Sequence, residues 1–197
     1  MTVTVVTVGH GARVIDAFVD LLVGAGVRRL VDIRTAPASR KHPHFGKDAL
    51  SATLEGAGIA YEWWGRELGG WRRPHADSRH TALRSAGFRG YADHMETDQF
   101  RAALDRLISS SRDTRTAIMC AESLWWRCHR RMVADALVAA GCRVEHLMEG
   151  GRLDPHRLSP AARSADGVLV YDVVTSEVSP GRPSRTRRAA PSGPPAG

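Results

Sequence analysis

Residues 115–140 read RTAIMCAESLWWRCHRRMVADALVAA, and this stretch decides the fold class. Residues 115–120 form a short apolar run that reads as a buried strand ending at Cys120. A loop rich in polar and aromatic residues follows. Residues 128–140 read as a helix, stopped by Gly141. Strand, functional loop and helix in that order are the repeating unit of an α/β fold.

The same unit recurs on both sides. Residues 3–8 are a β-branched run ended by Gly9-His10-Gly11, and Ile15, Phe18, Val19 and Leu22 follow at helical spacing. Residues 29–33, 59–64 and 143–148 read as further strands, and 47–54 and 98–108 as further helices, with a short helix at 88–95. The alternation predicts a single Rossmann-like three-layer α/β domain over 1–150. It has a mostly parallel sheet of about five strands with helices on both faces. Residues 65–90 read as a long irregular segment, a feature that is often functional. Residues 151–178 read as a C-terminal extension in which 168–174 is an edge strand or docking arm. The Pro/Ser/Arg-rich stretch 179–197 reads as a disordered basic tail.

Composition narrows the function classes. No stretch approaches the roughly 18 apolar residues that a spanning helix needs, so no membrane partner is expected. The first residues read as a strand and not as a signal peptide. Three cysteines without a leader are expected to be reduced thiols in the cytoplasm. The formal charge is +7, and Lys41 and Lys47 are the only lysines among 28 basic residues. Arginine excess fits a GC-rich coding bias, and equally an anionic partner, because guanidinium forks match phosphate and carboxylate. Four of the arginines (Arg182, Arg185, Arg187, Arg188) belong to the tail.

Ligands of open α/β sheets bind beyond the carboxyl ends of the strands. Applied here, that rule gathers His10 after strand one, Arg34 with Arg40, Lys41, His42 and His44 after strand two, and Trp64 to Glu67 after strand three. Cys120 and Glu122 follow strand four, and Glu149 follows strand five. The loop after Cys120 is the richest. A thiol at a helix N-terminus beside Arg127, Arg130 and Arg131 is biased toward thiolate. Cys120 or Cys128 is therefore a candidate nucleophile, and Glu122 or His129 a candidate acid/base. His10, Arg34, Arg40 and Arg130 are candidate anion-binding residues. Trp125 and Trp126 are candidate stacking surfaces for a base, or else core packing. Asp32 either orients Arg34 or caps its loop.

Metal binding competes with the thiolate reading. Cys120, Cys128 and His129, with His10 or His44, are suitable ligand types for zinc or iron. Against it, the spacing is C-x7-C-H, and adjacent Cys and His seldom both reach one ion. The residues name no metal and no cofactor.

The ordered motifs TVGHG, VDIRTAPASRKHPHF, YEWWGRELGG, FRGYADHM and CAE…RCHR resemble the bacterial and archaeal domain-of-unknown-function 488 family, over about residues 5–148. The resemblance implies a compact Rossmann-like domain. It also implies that Gly9, His10, Asp32, Arg34, Pro37, Ser39, Leu68, Gly69, Gly70, Cys120, Glu122, Cys128, His129 and Arg130 occupy signature positions. It implies no reaction. The chain departs from the family pattern at Gly11, where a small polar residue is usual, and across residues 123–127, where the family stretch is short and polar. The layout, a VDIR strand and a later strand ending in cysteine, is also similar to that of rhodaneses and cysteine phosphatases.

The expectation is an enzyme, a hydrolase or transferase, acting on an anionic small molecule of nucleotide or nucleic-acid origin. The alternatives are a nucleic-acid-binding accessory module and a zinc or iron protein. Oligomeric state is not legible.

Overall fold

The computed structural model of the chain describes residues 2–165 and 167–173; the tail at 179–197 lies outside them. The elements begin with β1 (Thr4–Gly9), α1 (Ile15–Gly24), β2 (Arg29–Asp32), α2 (Lys47–Gly56) and β3 (Ala60–Trp63). They continue with α3 (Gly65–Leu68), α4 (Ala86–Met95), α5 (Asp98–Ser110), β4 (Thr116–Cys120), α6 (Arg130–Ala139) and β5 (Arg143–Leu147). Three short strands close the described chain: β6 (Leu153–Pro155), β7 (Ala162–Ala165) and β8 (Val168–Tyr171).

The strand order is β3-β2-β4-β1-β5-β6, parallel throughout except for β6, which runs antiparallel to β5. This is the mixed α/β architecture that the sequence predicts, with β6 as an added antiparallel edge. Both faces are covered. Val6, Val8, Leu30, Ala117 and Met119 pack against Phe18 and Leu22 of α1 and Leu50 and Leu54 of α2. Val5, Val31 and Ile118 pack on the other face against Phe100 and Leu107 of α5 and Met132, Val133 and Leu137 of α6. Residues alternate in direction along a strand, so each strand feeds both cores, and strands buried on both faces read as continuous apolar runs. Helix α5 starts where Thr97 Oγ1 accepts the Phe100 N–H at 3.2 Å, a side-chain N-cap. Among the described residues, no helix is long and apolar enough to cross a membrane.

The chain leaving β1 turns toward β2 over one face, and the chain leaving β4 turns the opposite way toward β5 over the other. Divergence of neighbouring strands opens a crevice at their carboxyl ends. The segment after β5 returns onto the domain. The β7–β8 pair is antiparallel, and β8 buries Leu169, Val170 and Tyr171. Residue 174, the end of the strand expected at 168–174, lies outside the described residues.

A buried polar chain fixes this return. Asp135 on α6 accepts bonds from Tyr171 Oη (3.0 Å), the Ser159 N–H (2.8 Å) and His156 Nε2 (2.9 Å). With its Nε2–H so committed, His156 accepts at Nδ1 from His146 Nε2 (2.9 Å), and His146 Nδ1 accepts from the Thr7 hydroxyl (2.7 Å). Each donor in this chain thus has one acceptor.

Candidate functional site

The crevice is a cavity of about 650 Å³ whose lining includes His10, Arg34, Lys41, Trp71, Phe88, Cys120, Glu122, Arg127, Cys128 and His129. Its floor is held by the join between β1 and the loop after β4. The N–H groups of His10 and Gly11 donate to the carbonyls of Cys120 (3.1 Å) and Ala121 (2.9 Å). A side chain at Gly9 would meet the Glu122 carbonyl oxygen at 1.9 Å, so only glycine permits this approach. Arg130, 2% exposed, lies beneath the loop. Its Nη1 donates to the carbonyls of Val8 (3.1 Å) and Glu122 (2.6 Å), and its Nη2 to that of Ser123 (2.9 Å).

Above this floor sit Cys120, Cys128 and His129. The Nδ1 atom of His129 lies 3.8 Å from the Cys120 sulfur and 3.6 Å from the Cys128 sulfur. The other ring nitrogen, Nε2, is 3.2 Å from the Ile33 carbonyl oxygen. A carbonyl can only accept, so Nε2 carries a hydrogen, and Nδ1 faces both sulfurs. The three ligand atoms lie within 4.8 Å of one another. In tetrahedral zinc geometry, with bonds of about 2.3 Å to sulfur and about 2.0 Å to nitrogen, the S···N edges are about 3.5 Å. The donor set therefore fits such an ion with little movement. Gly70 completes the surround: a Cβ there would stand 2.5 Å from Nδ1, so the backbone lies close across the imidazole.

Two adjacent residues do reach one point here, against the expectation from their adjacency. The reason is a change of backbone state between them. Cys128 is extended (φ −121°, ψ 149°) and His129 is helical (φ −59°, ψ −21°), which swings both side chains to the same side.

The pair of thiols shares its protons unequally. Cys120 is held well below the ordinary thiol value, first by the hydrogen bond from Cys128 and then, against its own burial, by His129 and the Arg130 charge. Cys128 is pushed up by the same bond to Cys120 and by burial.

His10 and Arg34 both line the cavity, but both are already engaged. Arg34 Nε and Nη2 face the carboxylate oxygens of Asp32 at 2.9 Å and 2.5 Å, and Nη2 also reaches the Phe45 carbonyl. Tyr61 Oη donates to the same carboxylate at 2.8 Å, and the Tyr61 hydroxyl is pushed up by burial and by Asp32. Asp32 thus orients Arg34 and cancels its charge. His10 Nδ1 donates to the Gly11 carbonyl and Nε2 accepts from Arg34, with the ring stacked on Phe45 at 4.2 Å. Burial, then Arg34, lowers its pKa to about 4, so it is neutral.

Of the other sequence-predicted residues, Glu122 lines the cavity. Arg40 is exposed outside it. Arg130 points into the protein, because the first turn of α6 runs under the loop and the Val8, Glu122 and Ser123 carbonyls need donors. Trp125 stacks on His146 (4.0 Å, 7°) and Trp126 meets Trp125 edge-on, so these rings line the outer side of the loop and not the cavity. His44 is likewise elsewhere, its Nε2 3.2 Å from the Arg13 carbonyl. The cavity's aromatic residues are instead Trp71 and Phe88. Trp71 follows strand three and was reachable by the strand-end rule; Phe88, in the first turn of α4, opens the FRGYADHM motif, which gave no sign that its ring lines the cavity.

The site and fold define an α/β protein with a Cys/Cys/His cluster at the sheet's carboxyl edge. A family model, domain of unknown function DUF488, matches residues 14–137, and the chain belongs to that family. The matched span contains the cluster, whereas His10, β5 and the returning extension lie beyond it. No curated protein and no solved structure matches the chain.

Proposed function

We propose that Cys120, Cys128 and His129 bind one zinc ion and that the protein is a metal-dependent hydrolase acting on an anionic substrate in the cavity. The observation that supports this most is the Nδ1 atom of His129, facing two sulfurs at tetrahedral edge distances while Nε2 is committed to Ile33. Two soft sulfurs and an imidazole suit zinc. Three protein ligands leave a fourth position for water, which bound zinc would polarise and acidify.

The chain's own residues supply the rest. Cys120 is already close to its ligating form, and Cys128 releases its proton on binding. Glu122, two residues beyond Cys120 and among the residues lining the cavity, takes the proton of the attacking water and delivers it to the leaving group. Arg130 and Gly9 hold the loop that carries both groups.

The test is elemental analysis of protein purified without chelator. One zinc per chain is expected, lost on Cys120→Ser or His129→Ala. Protein that stays metal-free after reconstitution with excess zinc overturns the reading. The low-lying Cys120 thiol favours one other reading, a metal-free thiolate nucleophile. Metal-free protein in which iodoacetamide alkylates Cys120 at neutral pH would establish it.

A further inference from the structure

We infer that the cavity takes a phosphorylated planar ring, as in a nucleotide, with the ring against Trp71, the phosphate at the mouth against Lys41 and Arg127, and the reacting end on the Cys120 floor. This rests on the cavity being the substrate site, but not on which chemistry Cys120 performs there.

The distribution of charge orients the ligand. The guanidinium groups beside the floor are already engaged: Arg34 is paired with Asp32, and both Nη atoms of Arg130, buried beneath the loop, donate to three carbonyls. An anion on the floor would gain nothing from Arg34 that Asp32 does not already take. At the mouth the balance reverses. Lys41 and Arg127 are exposed, line the cavity, and have no hydrogen-bond or ion-pair partner among the described residues. The anionic group of a ligand therefore stays outermost.

The ring follows from Trp71, which is 79% exposed at the cavity wall. It is not a loose surface side chain. Its backbone N–H donates to Thr35 Oγ1 at 3.2 Å, and the preceding Gly70 is packed on His129. A bare indole on a tethered backbone beside a cavity is a stacking surface for a planar ring. Phe88, whose own ring carries the Arg131 guanidinium at 4.4 Å, adds a second aromatic wall. The cavity volume of about 650 Å³ suits a ligand of nucleotide size.

The chemistry is shared by a free nucleotide and by the terminal nucleotide of a single strand, and titration calorimetry on the full chain distinguishes them. The probes are the four ribonucleoside 5′-monophosphates, their nucleosides, ribose 5-phosphate and a short single-stranded oligonucleotide. At least one monophosphate should bind, with its nucleoside and ribose 5-phosphate each weaker by about tenfold or more. Trp71→Ala should cost the monophosphate about tenfold and leave ribose 5-phosphate unchanged. Lys41→Ala with Arg127→Ala should do the converse, weakening the monophosphate and leaving the nucleoside unchanged. An oligonucleotide that binds more tightly than every monophosphate assigns the site to strand ends; one that binds no better assigns it to free nucleotides. No monophosphate binding up to about 10 mM, or indifference to Trp71→Ala, overturns the inference. Zinc content measured on the same samples separates the two proposals. Metal-free protein that binds nucleotides through Trp71 defeats the zinc reading alone. Zinc-loaded protein indifferent to every probe defeats this one alone.

Discussion

The imidazole of His129 donates its Nε2–H to the carbonyl of Ile33, 3.2 Å away at the end of β2. That one bond orients the ring, aims Nδ1 at the two sulfurs, and ties the α6 terminus to a strand two positions from β1. Replacing His129 by alanine should weaken zinc binding by more than about 100-fold, the outer range for loss of a group that merely supports a ligand. Competition against a chromophoric chelator measures it; an unchanged affinity would remove His129 from the donor set.

Glu122→Gln keeps size and removes the proton acceptor. Zinc content should be unchanged and single-turnover hydrolysis of the nucleotide selected by titration should fall by about 10² or more. A fall in metal content would instead make Glu122 a ligand.

Gly9→Ala places a methyl group 1.9 Å from the Glu122 carbonyl oxygen, backbone against which nothing flexible can yield. A destabilisation of about 2 kcal/mol is expected from overpacking. Urea denaturation reads it, and a loss below about 0.5 kcal/mol would mean that the loop yields freely.

His146 gives the protein an acid limit. Burial, then His156 and Arg130, lowers its pKa to about 3. The unfolded chain takes up the proton near the ordinary value of about 6.5, so stability is full above that pH and is lost progressively as pH falls toward about 3. Between pH 7 and 5 the expected loss from this residue is about 2 kcal/mol. His10, His80 and His94 are shifted the same way, so the His146→Gln variant isolates the contribution. The difference between wild type and variant should shrink as pH falls; a constant difference would assign the effect to packing on Trp125.

Trp125→Ala offers a contrast with Trp71. The ring touches His146, His156 and Trp126 and not the cavity. Its loss should cost about 2 kcal/mol of stability while nucleotide affinity stays within about twofold of wild type.

The sheet, its helices and the meeting of His10, Arg34, Cys120, Glu122, Cys128 and His129 were legible because apolar periodicity and the strand-end rule depend only on local pattern. What a side chain does after arriving was not. Arg34 and Arg130 look alike as cations in the sequence, yet Asp32 neutralises one and three carbonyls absorb the other. Trp125 is turned outward by His146 and His156, which lie 21 and 31 positions further along the chain. Strand β6 is three residues long, too short to carry a period, and exists because β5 offers it an edge.

The polar chain from Thr7 to Tyr171 has a practical consequence for anyone trimming this protein to its recognisable family core. A version ending at residue 150 would delete His156, Ser159 and Tyr171 together. Asp135 would then be an uncompensated carboxylate on a buried helix face, and His146 would have an idle N–H beneath the Trp125 ring. The stretch least visible to family comparison thus acts as a buttress for the outer flank of the cysteine loop. A shortened protein that folds poorly or loses its metal would report on that buttress and not on the chemistry of the site.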